Sequence, residues 1–299
     1  MDSIAALLRS YDLHPKKGLG QHFLADQAAL DRIVAAADLT PADTVLEIGP
    51  GLGTLTRLLA ERAGRVVAVE LDDRLAAVLA ERLAGQPNVE VRPGNILRIS
   101  DFASLVGPSY KVVANLPYYI TSAVLRHLLE RQDQPSLMVV TVQREVAERI
   151  VAAPPDMNLL AVSVQFYGRP RIVARIPAGA FYPPPKVDSA VVRIDVRDEP
   201  AVALGAGPAS PEGDLCEASG TRLNVADFFR VVRAGFGHKR KTLRNALSAG
   251  LGLTPTQAEE ALVQAGIDPR RRAETLSLQE WAELAVPICR ADWTTNNAR

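Results

Sequence analysis

The chain is poor in cysteine, with only Cys216 and Cys289 among its 299 residues. Two isolated thiols match no metal-ligand spacing and no disulfide-stapled secreted fold, so they indicate a reducing compartment. Long apolar runs are also missing, and no stretch approaches the roughly 18 residues that span a bilayer. The first apolar run, Ile4–Leu8, follows Asp2 and is too short for a signal peptide. We therefore expect a cytoplasmic protein with no bound metal and no membrane contact.

An excess of either charge is lacking as well. Lys and Arg together number 34, as do Asp and Glu, and aromatic residues make up only 5% of the chain. A neutral chain has no global field that would attract a polyanion, so any nucleic-acid surface must come from local clustering of basic residues. The apolar content, by contrast, is high. With 47% hydrophobic residues the chain can bury a large core, which predicts one large domain and a smaller one.

A glycine-rich turn follows the first strongly apolar segment after the N-terminal region. Residues 44–48 have the pattern of a buried strand, 49–53 that of a turn and 54–63 that of a helix, which together form the first unit of a doubly wound sheet. A dinucleotide fingerprint, G-x-G-x-x-G, would require glycine where Thr54 stands. The glycines instead alternate as E-x-G-x-G-x-G from Glu47 onward. This pattern is associated with S-adenosylmethionine, whose bulk must lie against bare backbone.

Polar residues stand at the ends of the next two predicted strands. The strand at 65–70 ends on Glu70, about 20 residues past the glycine turn, where a carboxylate can hydrogen-bond ribose hydroxyls. The strand at 89–92 is followed by Asn95, whose amide can accept from an adenine amino group or donate to a ring nitrogen. The alternatives are a surface carboxylate at Glu70 and an ordinary Gly94-Asn95 turn.

The fourth predicted strand, 111–114, stops abruptly at Asn115-Leu116-Pro117-Tyr118. Such a loop offers a side-chain carbonyl on Asn115, a main-chain carbonyl on Leu116 and a flat ring on Tyr118. These groups would accept both hydrogens of an exocyclic amine on a planar base, while the ring stacks on that base. The alternative is an ordinary strand-to-helix turn. The motif therefore predicts a site that acts on an aminated base.

The remaining pattern predicts alternating helices and strands, hence a mostly parallel sheet in an α/β fold. Because no helix separates the last two predicted strands, they should pair antiparallel at one edge of the sheet. The predicted helices lie at 27–37, 73–83, 121–131 and 144–151, and the predicted strands at 137–142, 161–167 and 190–196.

Two loops carry further candidate residues. Three prolines at 183–185 hold an extended backbone beside Phe181, which could face Tyr118 across a slot and clamp a base; the alternative is a core anchor for the loop. Lys16 and Lys17 precede a flexible Gly-Leu-Gly segment and suggest a lid with a basic rim that contacts RNA, the alternative being a solvated turn.

The composition changes after the predicted catalytic domain, residues 1–197. Residues 198–222 are rich in Pro, Gly, Ala and Ser and are expected to form a flexible linker. Residues 223–299 have helical patterns, and between Arg230 and Leu247 there are six Lys or Arg residues and no acid. A solvated helix face is the alternative, but contact with phosphates fits a basic run in a neutral chain better. The candidates are Arg233, His238, Lys239, Arg240, Lys241 and Arg244.

Seven motifs in this order give the chain a specific resemblance over nearly its whole length. They are Gly-Gln-His-Phe-Leu at 20–24, Glu47–Gly53, Val69-Glu70, Asn115–Tyr118, Gln143–Ala147, Phe181–Val191 and Phe236–Leu243. The chain resembles the ribosomal RNA adenine dimethyltransferases of the KsgA type. The resemblance implies a class I, Rossmann-like methyltransferase with a seven-stranded sheet and a small C-terminal helical domain. It also implies S-adenosylmethionine as methyl donor, contacted by His22, Leu24, Gly49, Glu70, Asn95 and Asn115.

Two residues depart from the family pattern: Asn95 stands where Asp is usual, and His22 where Asn is usual. The implied activity is dimethylation of N6 on two adjacent adenines in the 3′-terminal hairpin of 16S RNA, within the immature small ribosomal subunit, by a monomer. Three alternatives stay open: dimethylation of large-subunit 23S RNA, methylation of DNA adenine, and a ribosome-assembly factor whose methylation is incidental. A DNA enzyme would normally need a larger recognition domain than the one predicted here.

Overall fold

The structure is a computed structural model that describes residues 3–204 and 223–290, apart from the side chains of Lys17 and Arg290. The chain divides into two compact units. The first contains residues up to 151 together with 167–198, and the second contains 152–166 together with the residues after 198. The predicted boundary at 197 thus lies one residue from the end of the first unit, but the grouping of 152–166 with the second unit was not predicted. Most of the predicted linker, 205–222, lies outside the described residues.

The first unit is an α/β sandwich in which helices and strands alternate. Most predicted elements occur within one or two residues of their predicted ends. The strands are β1 (Phe23–Leu24), β2 (Thr44–Ile48), β3 (Arg65–Glu70), β4 (Val89–Pro93), β5 (Lys111–Asn115), β6 (Leu137–Gln143), β7 (Gly168–Ile176), β8 (Phe181–Tyr182) and β9 (Ser189–Val196). The helices of the chain up to β7 are α1 (Ile4–Ser10), α2 (Gln27–Ala36), α3 (Thr54–Ala60), α4 (Asp73–Arg82), α5 (Phe102–Val106), α6 (Thr121–Leu129), α7 (Arg144–Ile150) and α8 (Leu159–Tyr167).

Seven strands form one sheet in the order β4-β3-β2-β5-β6-β9-β7. The first five are parallel, and β9 pairs antiparallel with both β6 and β7. The predicted antiparallel pairing of 190–196 at the edge of the sheet is therefore present, but its partner is 168–176 and not the predicted strand at 161–167. The order reverses at β2, so the carboxyl ends of β2 and β5 flank a crevice where the loops of an open sheet bind ligands. Apolar side chains from the sheet and from α2 and α3 form the core on one face.

The predicted strand at 161–167 is wrong, because this segment lies within the helix α8. Asn158 caps the helix through a bond from the Ala161 amide to Oδ1 at 3.1 Å. A short apolar run has no periodicity that distinguishes a buried helix from a buried strand. The strand, β7, follows instead, and Pro170 inside it fits an edge position because proline cannot donate to a ladder.

The glycine turn between β2 and α3 has the left-handed backbone that its sequence demands. Gly51 has φ of 59° and Gly53 has φ of 80°. A Cβ on Gly51 would lie 2.9 Å from the Phe23 ring, and one on Gly53 would lie 2.5 Å from a Leu79 methyl. Both the dihedral angle and the close packing therefore exclude larger residues.

The second unit is helical in its described part, as predicted. After α8 its helices are α9 (Val225–Phe236), α10 (Leu243–Leu251), α11 (Pro255–Gln264) and α12 (Leu278–Arg290). Thr254 and Gln257 form a capping box at the start of α11. Trp281 is fully buried, and its indole lies where a Cβ on Gly235 would be, which allows α9 and α12 to approach closely. None of the helices in the described ranges has both the length and the apolarity to cross a membrane.

Candidate active site

A cleft lies at the carboxyl ends of β2, β3 and β5 in the first unit. Its volume is about 1010 Å³, counting the open mouth. The glycine turn forms its floor, and the segment from Leu19 to Leu24 lies against it. Eight residues singled out from the sequence meet here, although they come from five separate segments. They are His22, Leu24, Gly49, Glu70, Asn95, Asn115, Leu116 and Tyr118.

Glu70 ties the glycine turn to the end of β3. One carboxyl oxygen accepts a hydrogen bond from the Gly51 amide and the other from the Asp72 amide, both at 3.0 Å. Burial raises the pKa of Glu70, while these backbone donors offset part of the rise and the charge of Asp72 adds to it. Glu70 is 6% exposed, so it is not the surface carboxylate of the alternative interpretation. Each oxygen keeps a lone pair that a ligand hydroxyl can use.

Asn115 is held in one orientation at the end of β5. Its side-chain Nδ2 donates to the His22 main-chain oxygen at 3.1 Å, and no hydrogen bond to its Oδ1 occurs in the part of the chain that the structure describes. The next amide, that of Leu116, donates to the Thr141 oxygen at 3.2 Å. No hydrogen bond among the described residues uses the Leu116 carbonyl oxygen. The loop thus contains two adjacent oxygens that no described hydrogen bond uses, while their role as acceptors for a base stays a prediction.

The side chain of Tyr118 is held at two points, its hydroxyl and its ring. Its hydroxyl shares a 2.7 Å hydrogen bond with the Ser189 hydroxyl, and its ring is stacked on His22 with centroids 5.8 Å apart. His22 is itself held by a 2.7 Å contact between Nδ1 and the Pro183 oxygen. Burial raises the pKa of Tyr118, so the phenol stays neutral near pH 7. A neutral, fixed ring is suited to stacking on a planar base.

Comparison with known proteins identifies the family of this chain. Residues 13–204 match the sequence profile of the ribosomal RNA adenine dimethylase family. The chain is 50% identical to ribosomal RNA small subunit methyltransferase A of Dehalococcoides mccartyi over 94% of this chain and 90% of that protein. It is 47% identical to the protein of the same name from Pelotomaculum thermopropionicum over 94% of each chain. The chain belongs to the ribosomal RNA adenine dimethylase family.

Two crystal structures show the same architecture as this family member. The 23S rRNA methyltransferase ErmE is 28% identical, with a TM-score of 0.66 over 89% of this chain and 99% of that one. A dimethyladenosine transferase from Plasmodium falciparum is 24% identical, with a TM-score of 0.68 over 88% of this chain and 96% of that one. Together they confirm the Rossmann-like methyltransferase fold with a helical C-terminal part.

Phe181 lies apart from the cleft in this dimethylase-family chain. It is 4% exposed, packs in the core beneath the sheet, and pairs with Leu24 across the β1–β8 ribbon. This placement agrees with the alternative interpretation, a core anchor, and not with a ring that faces Tyr118 across a slot. From the sequence both interpretations had equal support, because an aromatic beside prolines is equally typical of each.

An ion pair connects the predicted lid to Asp72, the residue before α4. Lys16 Nζ lies 2.7 Å from Asp72 Oδ2, and Gln21 Nε2 donates to the same oxygen at 3.4 Å. Burial would raise the pKa of Asp72, but its hydrogen bond with Lys16 and the charge of Lys16 outweigh it and lower the pKa. Lys16 therefore joins the loop to the start of α4. The side chain of Lys17 lies outside the described atoms.

The remaining predicted residues differ in their exposure and in their hydrogen-bond or ion-pair partners. Asn95 caps a short helical turn, accepting from the Leu97 amide at 3.0 Å, so its Nδ2 remains the group that can face the cleft. In the helical unit the side chains of Arg233 and of the four residues from His238 to Lys241 are exposed. Arg244 is paired with Glu259 at 3.0 Å.

Among the cleft-lining residues to which the sequence analysis assigned no role of their own are Tyr119 and Glu47. Tyr119, which lies at the mouth, is 57% exposed, and Glu47 on β2 is 1% exposed. An acid within the apolar run 44–48 was a signal for Glu47, because a lone carboxyl is rarely buried without a role. No group of three or more His, Cys, Asp or Glu in the described ranges is placed to hold a metal ion.

Proposed function

We propose that this chain transfers methyl groups from S-adenosylmethionine to N6 of two adjacent adenines in the 3′-terminal hairpin of 16S RNA. Membership of the ribosomal RNA adenine dimethylase family supports the reaction. The relatives named small subunit methyltransferase A, at 47 to 50% identity over nearly the full chain, support the choice of subunit. The observation that carries the proposal is the pair of unused acceptors, Asn115 Oδ1 and the Leu116 oxygen, at the exit of β5.

The chemistry of the cleft fits a cationic cofactor that carries a ribose and an adenine. Two buried carboxyls, Glu47 and Glu70, line it, and no lysine or arginine among the described residues does so. Glu70 would hold the ribose hydroxyls, and Asn95 the adenine ring. Gly49 offers bare backbone, while His22 and Leu24 close the opposite side. When bound, S-adenosylmethionine supplies an electrophilic methyl group.

The target amine needs activation, because its lone pair is delocalised into the purine ring. Asn115 Oδ1 and the Leu116 oxygen would accept its two hydrogens and draw the nitrogen toward tetrahedral geometry, while Tyr118 stacks on the base. Fixing the amine in line with the methyl group supplies much of the rate. The apolar side chains of Leu24 and Leu55 in the lining exclude water, which favours a transition state in which charge disperses. The nitrogen loses its proton to solvent, so no dedicated base is required.

The helical unit would position the RNA. Arg233 and the exposed run from His238 to Lys241 form a basic surface suited to phosphates, with Arg244 beside it. We propose that the protein acts as a monomer in the cytoplasm, on small subunits that are still being assembled. Lys16 and Lys17 would add a smaller contribution at the lid.

The test is to incubate the protein with immature small subunits, mature small subunits and large subunits, each with S-adenosylmethionine labelled in the methyl group. The expected result is two dimethylated adenines near the 3′ end of 16S RNA, and none in 23S RNA. Label in 23S RNA would instead support the resemblance to ErmE and overturn the choice of substrate.

The assembly-factor alternative is tested in a cell that lacks the protein. Restoration of subunit maturation by an Asn115→Ala variant as fully as by the native chain would favour a factor whose methylation is incidental. Failure of that variant would favour the enzyme.

A further inference from the structure

Glu47 is a buried carboxyl whose hydrogen bonds within the described residues are incomplete. It is the next-to-last residue of β2, between Leu46 and Ile48, and is 1% exposed. Its Oε2 atom has no hydrogen-bond partner within residues 3–204 and 223–290. The neighbouring hydroxyl of Thr56 is also without a bond of acceptable geometry. Glu47 nevertheless lines the cleft, so a ligand there can reach it.

The surroundings of Glu47 disfavour its charged form. Burial raises its pKa to about 8, the charge of Glu70 adds to the rise, and Thr56 offsets only part of it. The other titratable groups that line the cleft are His22 from the lid and Tyr118 and Tyr119 from the loop after β5. No lysine or arginine in the described lining compensates the carboxylate. Near pH 7 the free protein therefore carries Glu47 mainly as a neutral acid.

The contrast with Glu70 shows what Glu47 lacks. Glu70 accepts from two backbone amides, so its charge is partly compensated within the protein. Glu47 has no such donors, and an unpaired buried charge is costly. A cation brought in by a ligand would supply the missing partner and would favour ionisation.

We propose that Glu47 binds a cationic group of the cofactor and gives up its proton to solvent when the cofactor enters the cleft. The inference rests on the proposed function, since it takes the cationic ligand to be S-adenosylmethionine. In the step, the O–H bond of the carboxyl breaks, the proton passes to water or buffer, and the carboxylate pairs with the ligand's ammonium or sulfonium. Glu47 is thus a positioning residue whose protonation state is coupled to cofactor binding.

The test measures proton release directly. Binding of S-adenosylmethionine and of S-adenosylhomocysteine is followed by titration calorimetry at pH 7 in two buffers of different ionisation enthalpy. We expect release of up to about one proton, and affinity that rises about fivefold to tenfold per pH unit between pH 6 and pH 8. Release with both ligands assigns the ammonium as the partner, whereas release with S-adenosylmethionine alone assigns the sulfonium, which the other ligand lacks.

The ligand's own amino group also titrates near pH 8, and it does so equally with the native protein and with Glu47→Gln. A comparison of the two proteins therefore separates the proton of Glu47 from that of the ligand. The variant should bind within about twofold of the native protein at pH 6, about 25- to 100-fold more weakly at pH 8, and without the extra proton. Glu81→Gln, an exposed acid on α4, serves as the matched control and should behave as the native protein does.

Equal proton release by the native protein and Glu47→Gln overturns the inference, as does binding without proton release. If Glu47→Gln does not fold, carbon-13 NMR of native protein labelled at glutamate carboxyls decides instead. One carboxyl should then be protonated at pH 6 in the free protein and ionised with saturating cofactor; its absence overturns the inference. Failure of the native protein to bind S-adenosylmethionine at all would reject the proposed cofactor instead, so the two failures are distinguishable.

Discussion

The cleft of the first unit and the basic segment of the second differ in the charge they present. The cleft has two buried carboxyls and, in its described lining, no lysine or arginine. The segment from Arg230 to Leu247 has six basic residues and no acid, and its turn from His238 to Lys241 is exposed. The net charge of zero is a sum over the whole chain and does not show this separation. A cationic cofactor and a polyanionic substrate each meet a region of opposite charge, so a change in one region should affect one ligand and spare the other.

The largest expected effect comes from a neutral group of the cleft. Asn115→Ala should lower methyl transfer on the order of 10³-fold, because one of the two acceptors for the amine is lost. RNA affinity, which depends on the other region, should stay within about twofold. Single-turnover methylation and filter binding on the same RNA measure the two quantities, and transfer at the native rate would refute the role of Asn115.

Removing the charge of Glu70 tests the cleft from the cofactor side. Glu70→Gln should weaken cofactor binding by about 10- to 100-fold, because charged hydrogen bonds to ribose are replaced by neutral ones. RNA affinity should be unchanged. Glu90→Gln, which removes an acid paired with Arg65 outside the cleft lining, is the control. Equal loss in both variants would contradict a specific contact.

The other carboxyl of the cleft should make stability depend on pH. Burial raises the pKa of Glu47 from its ordinary 4.5 to about 8, so between these values the unfolded chain has lost this proton while the folded protein still holds it, and stability falls as the pH rises. Between pH 6 and pH 9 the free energy of unfolding of the native protein should fall by about 2.5 kcal/mol relative to Glu47→Gln. Urea unfolding at several pH values checks this, and parallel curves would contradict it.

The smallest effect is expected in the basic segment, where the contribution is shared among several side chains. Changing Lys239, Arg240 and Lys241 together to Gln should weaken RNA binding about tenfold and reduce its salt dependence by about three phosphate contacts. Cofactor binding should be unaffected. A triple Gln variant at the exposed residues Arg9, Arg32 and Arg62 is the control. The same loss in that control would show that net charge alone matters.

The parallel part of the sheet was predictable because its strands are short β-branched runs bounded by glycine, proline or polar residues. The position of the cleft also followed, since the carboxyl ends of such strands meet at one edge. The helix α8 could not be identified, because burial on all sides removes the periodicity that distinguishes helix from strand. The core position of Phe181 and the ion pair of Lys16 depend on contacts with residues far away in sequence. The local sequence pattern carries no information about such contacts.

The two-residue ribbon of β1 and β8 connects segments more than 150 positions apart, because Phe23 pairs with Tyr182 and Leu24 with Phe181. Just outside the ribbon, His22 contacts the Pro183 oxygen. An insertion or a proteolytic nick between 183 and 188 should therefore loosen the cofactor lid although it lies outside the cleft lining. Variation in that proline segment offers a route to adjust how long the cofactor stays bound while every residue that touches it is kept.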